Sequence, residues 1–75
     1  MIEDLTRSQL EYLIEEYIVG RNAERNRKIL HRRLIDGIRF EPLAEEFDMS
    51  VRQVKTIVRK GTDRMFKHDS TAFWR

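Results

Sequence analysis

Between Phe40 and Lys60 two amphipathic helical segments are separated by only three residues, Asp48, Met49 and Ser50. A link that short makes its helices meet as a rigid corner, at roughly 90–120°. The residues present meet the demands of such a corner. Ala44 is small where the second helix must cross the first. Asp48 tolerates the positive φ that the turn requires better than most residues other than glycine. Leu43, Phe47, Met49, Val54 and Ile57 are apolar anchors on both arms and in the turn. Ser50 is a strong N-cap for the second arm. The spacing predicts a helix-turn-helix over about residues 40–60.

The rest of the chain also reads as helix. One Pro and three Gly leave few breakers in 75 residues. Thr6 is placed as an N-cap, with Gln9 three residues on as the second half of a capping box. Leu10, Leu13, Ile14, Tyr17 and Ile18 then recur at helical spacing over about residues 7–19, with Glu11, Glu15 and Glu16 behind them. Gly20 is a natural stop in the left-handed conformation. Asn22 is predicted to cap a second helix over about 23–36, with Glu24 early where the macrodipole favours an acid. Its apolar positions are Ala23, Ile29, Leu30, Leu34 and Ile35, and Asp36-Gly37 ends it. Pro42 fits the first turn of a short helix at about 41–47. The fourth helix starts at Ser50, buries Val54, Ile57, Val58 and Met65, and runs past Gly61 to about Lys67. A glycine there costs roughly 1 kcal/mol against alanine. The prediction is an all-α, small four-helix domain over residues 1–68 and a C-terminal tail at 69–75. Phe73 and Trp74 in that tail are either loose or folded back.

Several functions are disfavoured. The chain has no cysteine, so neither a disulfide nor a thiolate metal site can brace it. His31 and His68 lack the spacing of a zinc site, and no metal or cofactor is expected. Apolar runs never exceed three residues, so no signal peptide or membrane span is expected and no membrane partner. The expected location is the cytoplasm of a bacterial cell or a phage-infected host. An enzyme is not expected. Glu45 and Glu46 are neighbours on a helix surface and solvate it, and Ser50 is a cap rather than a nucleophile. Tyr12 and Tyr17 belong to core or interface.

Charge points to a partner. The net charge of +2 hides a split. Residues 1–20 carry −4, residues 21–68 carry +6 and residues 69–75 carry zero. Within residues 50–67, six Lys/Arg stand against Asp63 alone. Such asymmetry fits a chain of which one part meets a polyanion, although a solvated helical surface also produces it. The early exposed positions of the fourth helix are Val51, Arg52, Gln53, Lys55 and Thr56. Arg and Gln can bond base edges bidentately, and Thr or Val can touch a thymine methyl. Ser50, Arg59, Lys60 and Arg64 suit phosphates, which carry affinity without reading sequence. The pattern is that of a recognition helix entering a major groove N-terminus first.

From Arg27 to Val58 the sequence resembles the fourth conserved region of bacterial sigma factors. The resemblance rests on a basic helix ending in Asp36-Gly37, then Leu43-Ala44-Glu45, Ser50, and Val54-Lys55. It is also similar to small sigma-like helix-turn-helix proteins of Firmicutes and their phages. The resemblance implies sequence-specific binding of double-stranded DNA and transcriptional regulation. It implies DNA contact by Arg52, Gln53, Lys55 and Thr56, with Arg59 and Lys60 near the backbone. The pattern departs from the family at Asp48, where glycine is usual, at Arg39, where Thr or Ser is usual, and at Pro42. No promoter-opening region is expected here, so the resemblance is to the reader alone. A different class of function stays open: the amphipathic first helix docks on RNA polymerase or a phage assembly component, or forms a homodimer. The plainer reading of that helix is that its stripe closes the core.

Overall fold

The computed structural model describes the backbone of residues 5–74 and the side chains of residues 5–66. It is all-helical, with four helices in the order α1 (Arg7–Tyr17), α2 (Ala23–Leu34), α3 (Phe40–Glu46) and α4 (Val51–Trp74). There is no strand among the described residues. At a rise of about 1.5 Å per residue, α4 alone is about 36 Å long, which accounts for the 38 Å long axis of the molecule. It is the spine: α1, α2 and α3 all pack on it, and α2 touches every other helix.

Local chemistry explains the boundaries. At the start of α1 the Thr6 hydroxyl accepts from the Gln9 N–H at 3.1 Å, and the Thr6 N–H donates to Gln9 Oε1 at 2.9 Å. The predicted box is therefore closed in both directions. α1 ends at Tyr17, two residues earlier than expected. Ile18 and Val19 are β-branched and lose rotamer freedom in a helix, and Ile18 is extended, with ψ 92°. Gly20 does take a left-handed φ of 91°, but inside the loop rather than at the helix end. Asn22 is also left-handed, at φ 62°, and its side chain makes no cap bond to α2. The expected N-cap is thus replaced by a turn residue, a role asparagine tolerates. α2 ends at Leu34 instead of residue 36. Gly37, at φ 73°, turns the chain so that the Ile38 N–H reaches the Arg32 carbonyl at 3.1 Å.

α3 begins at Phe40, which places Pro42 in its first turn. Arg39 occupies the N-cap position with no side-chain bond. The end of α3 is closed entirely by backbone. Asp48 sits at φ 55°, its N–H donates to the Glu45 carbonyl at 3.2 Å, and the Met49 N–H donates to the Ala44 carbonyl at 2.9 Å. This is a Schellman closure with aspartate where glycine is commonest. Residues 47–50 then lead into α4.

The core is one cluster. Leu10, Leu13, Ile14 and Ile18 enter it from α1 and its end, Ile29 and Leu30 from α2, Leu43 and Ala44 from α3, and Val54, Val58 and Met65 from α4. Burying each large apolar side chain stabilises the fold by roughly 1.5–3 kcal/mol. The first-helix stripe is thus part of the core. Tyr17 and Ile57, expected with the buried stripes, are only half-buried.

Gly61 explains why α4 does not stop there. It is buried on the same stripe as Val54, Val58 and Met65. A Cβ on it would lie 2.6 Å from Leu30 Cδ1. The missing side chain lets α2 press against α4, and the packing gained offsets the propensity lost. The helical backbone then runs to Trp74, beyond the predicted end near Lys67, so residues 69–74 are helical rather than an irregular tail. The side chains of Phe73 and Trp74 lie outside the described residues.

Candidate nucleic-acid interface

The start of α4 is fixed by a second reciprocal box. The Gln53 N–H donates to Ser50 Oγ at 3.1 Å, and the Ser50 N–H donates to Gln53 Oε1 at 2.9 Å. Ser50 is the N-cap expected of it. Gln53 was expected to face bases with both ends of its amide; here its oxygen is engaged by backbone and its amino group remains the outward donor. The pairing S-x-x-Q was visible in the sequence and is the signal that assigns Gln53 a structural share.

With Val54, Val58, Gly61 and Met65 turned inward, α4 leaves Arg52, Gln53, Lys55, Arg59, Lys60, Asp63 and Arg64 exposed. Val51 and Thr56 are half-buried, and Val51 packs partly on the core. Lys55 leans to one flank, its Nζ 5.5 Å from the centre of the Phe40 ring. The Arg33 guanidinium lies 4.2 Å from the same ring. Each such contact is worth about 0.5–1 kcal/mol at an exposed site. Phe40, at the first residue of α3, thereby links α2, α3 and α4.

Four other cations of α4 are uncommitted among the described residues. Arg52, Arg59, Lys60 and Arg64 make no ion pair with any described residue. Three arginines of α2 are occupied instead. Arg27 donates from Nε to the Ile18 carbonyl at 2.7 Å and from Nη2 to the Glu15 carbonyl at 3.1 Å, closing the carbonyl end of α1. Arg32 bridges Glu46 at 3.0 Å and Asp36 at 3.3 Å. Glu46 above all, then Asp36, raises its pKa beyond the ordinary arginine value. Arg33 donates to the Ile38 carbonyl at 3.1 Å. His31 lies 3.4 Å from Glu11 and 3.7 Å from Asp36.

One residue of α2 joins the α4 surface without having been anticipated. Arg25 lines a shallow groove together with Met49, Arg52, Gln53, Thr56 and Ile57. Its position in the sequence carries no such signal, because the approach of α2 to the start of α4 is a tertiary fact. The surface assembled here is cationic, with amide, hydroxyl and guanidinium donors. Chemically, such donors suit an anionic partner.

No protein-family model, curated protein or solved structure matches the chain. No helix among the described residues is long and apolar enough to cross a membrane.

Proposed function

We propose that the chain binds double-stranded DNA through α3 and α4 acting as a helix-turn-helix, as a small transcriptional regulator of sigma region four type. One observation carries this reading: Arg52, Arg59, Lys60 and Arg64 of α4 pair with no acid among the described residues, while Arg27, Arg32 and Arg33 of α2 are held by the protein itself. Free cations on an exposed helix supply the salt-dependent affinity that duplex binding needs. Arg52 near the N-terminus of α4, with the Gln53 amino group and Thr56 beside it, supplies base-reading donors. The four-residue link 47–50, closed by backbone, supports the rigid corner that presents them.

The test is a shift assay with pooled genomic duplex fragments at low salt. The expected result is binding that weakens steeply as salt rises. Arg52→Ala should relax sequence preference, whereas Lys60→Ala should weaken binding to all fragments. No shift at low salt sinks the reading.

A second reading keeps one observation. Tyr12 on α1 is 59% exposed and Val19 beyond it 52% exposed, beside the acidic residues Glu15 and Glu16. This face is the place for a homodimer contact or for docking on RNA polymerase or a phage assembly component. Light scattering on the wild type and on Tyr12→Glu decides it for self-association. Leu13→Glu is the wrong probe, because Leu13 is 1% exposed and its loss removes core.

A further inference from the structure

Among the described residues, grooves between the helices differ in charge. The groove of α1 and α2 contains Glu11 and Glu15 beside Arg27, Lys28 and His31. The groove of α2 and α3 contains Glu46 beside Lys28, His31 and Arg32. The groove between α2 and the start of α4 contains Arg25 and Arg52 and no acid among the described residues. An anion is repelled or out-competed in the first two and meets only positive charge in the third.

Arg25 is also held differently from the other α2 arginines. Its Nε and Nη2 both donate to Asn26 Oδ1, each at 3.1 Å. Asn26 is neutral, so it orients the guanidinium without cancelling its charge. Arg has five N–H donors in a rigid fork. Two are directed at Asn26, and Nη1 stays uncommitted. Both residues are half-buried, so little further side-chain freedom is lost on binding. Met49 and Ile57 form the apolar lining, which weakens solvent screening of the arginine.

We infer that Arg25, oriented by Asn26, is a fixed phosphate-binding arm from α2, and that the backbone of one DNA strand crosses the mouth of this groove. The inference rests on the DNA reading of α4 and adds to it a contact outside the corner. Phosphate is the fitting ligand. A guanidinium fork matches its oxygens, and an element beside the recognition helix meets the backbone rather than the bases. Arg25 then sets how the duplex is seated while Arg52 and its neighbours read it.

The experiment measures binding of a labelled random-sequence duplex across a salt series for wild type, Arg25→Gln and Asn26→Ala, with a thermal melt of each. Arg25→Gln is expected to lower the slope of log affinity against log salt by about one, the value for one lost phosphate contact. Asn26→Ala keeps the charge and loses the hold, so the slope stays and affinity falls by about two- to tenfold. If Arg25→Gln melts early, Asn26→Ala carries the test. Arg25→Gln or, in that case, Asn26→Ala binding like a folded wild type overturns the inference and leaves the DNA reading intact. A wild type that binds no duplex at low salt overturns both.

Discussion

The two halves of the molecule close their helical links by different means. Between α1 and α2 the loop at residues 18–22 has backbone bonds, from Ile18 N–H to the Ile14 carbonyl and from Ala23 N–H to the Gly20 carbonyl, and adds a side chain: Arg27 reaches back to the Ile18 and Glu15 carbonyls. Between α3 and α4 the link at residues 47–50 is closed by backbone N–H groups and by the Ser50–Gln53 box. The first solution consumes a cation and the second does not. That is why two helices of similar basic content present such different surfaces. Arg27, Arg32 and Arg33 in α2 act as internal struts, and the arginines of α4 face outward with no described acid to meet them.

The contrast can be broken at several points. The largest effect is expected where the halves meet. Gly61→Val puts a branched side chain against Leu30 and should cost about 2–3 kcal/mol by overpacking. In a domain this small that lowers Tm by about 4–8 °C per kcal/mol. Gly61→Ala should cost much less, because about 1 kcal/mol of helix propensity offsets the strain. Leu30→Ala is itself costly in the core, but combined with Gly61→Val it should cost less than the two single changes summed, and strict additivity would mean that Leu30 is not the obstacle.

Next comes the strut itself. Arg27→Ala should destabilise by about 1–2 kcal/mol, since hydrogen bonds from a charged donor are lost at a site only partly screened. Arg59→Ala should leave stability within about 0.5 kcal/mol of wild type, as an uncommitted surface residue does. Equal Tm changes in calorimetry would erase the distinction between the two helices.

A smaller gain is expected at the backbone-closed turn. Asp48→Gly removes the left-handed penalty of about 1–2 kcal/mol but frees the unfolded chain by about 0.4–1 kcal/mol. The net is a stabilisation of about 0.5–1 kcal/mol. Chemical denaturation reads it directly, and a loss of stability would show that Asp48 contributes through its side chain instead.

The smallest effect belongs to acid sensitivity in the first half. The hydrogen bond from Arg7, and then that from His31, hold the Glu11 carboxyl below its ordinary pKa of 4.5. A depressed carboxyl stabilises the fold above its unfolded pKa, and that contribution fades as pH falls through the lower folded value. Glu11→Gln should therefore flatten the slope of stability against pH below about 4.5 while changing little at neutrality. An unchanged acid slope in the variant would assign the sensitivity elsewhere.

Much of this architecture was legible because it depends on neighbours in sequence. The Thr6–Gln9 box, the positive φ of Asp48 and the Ser50 cap are interactions within four residues, and each is where the pattern put it. Asn22 misled because cap and turn use the same residue type, and only the loop path chooses between them. α1 ends earlier than the apolar stripe suggests because Ile18 stays in that stripe as buried core while its backbone is extended, with its carbonyl taken by Arg27 nine residues on.

The sequence alone determined four helices, their order, and the stripe on each that turns inward, since helical periodicity follows from spacing of apolar residues. It also determined a charge split between the first helix and the rest. Tertiary structure decided which charges are used. It set α2 against α4 through the gap at Gly61, drew Arg27, Arg32 and Arg33 into the fold, and left the cations of α4 open. It also brought Arg25 beside Arg52 at the corner. The reason is physical: an arginine reaches partners far from it in the chain, so its role is fixed only when the helices are in place.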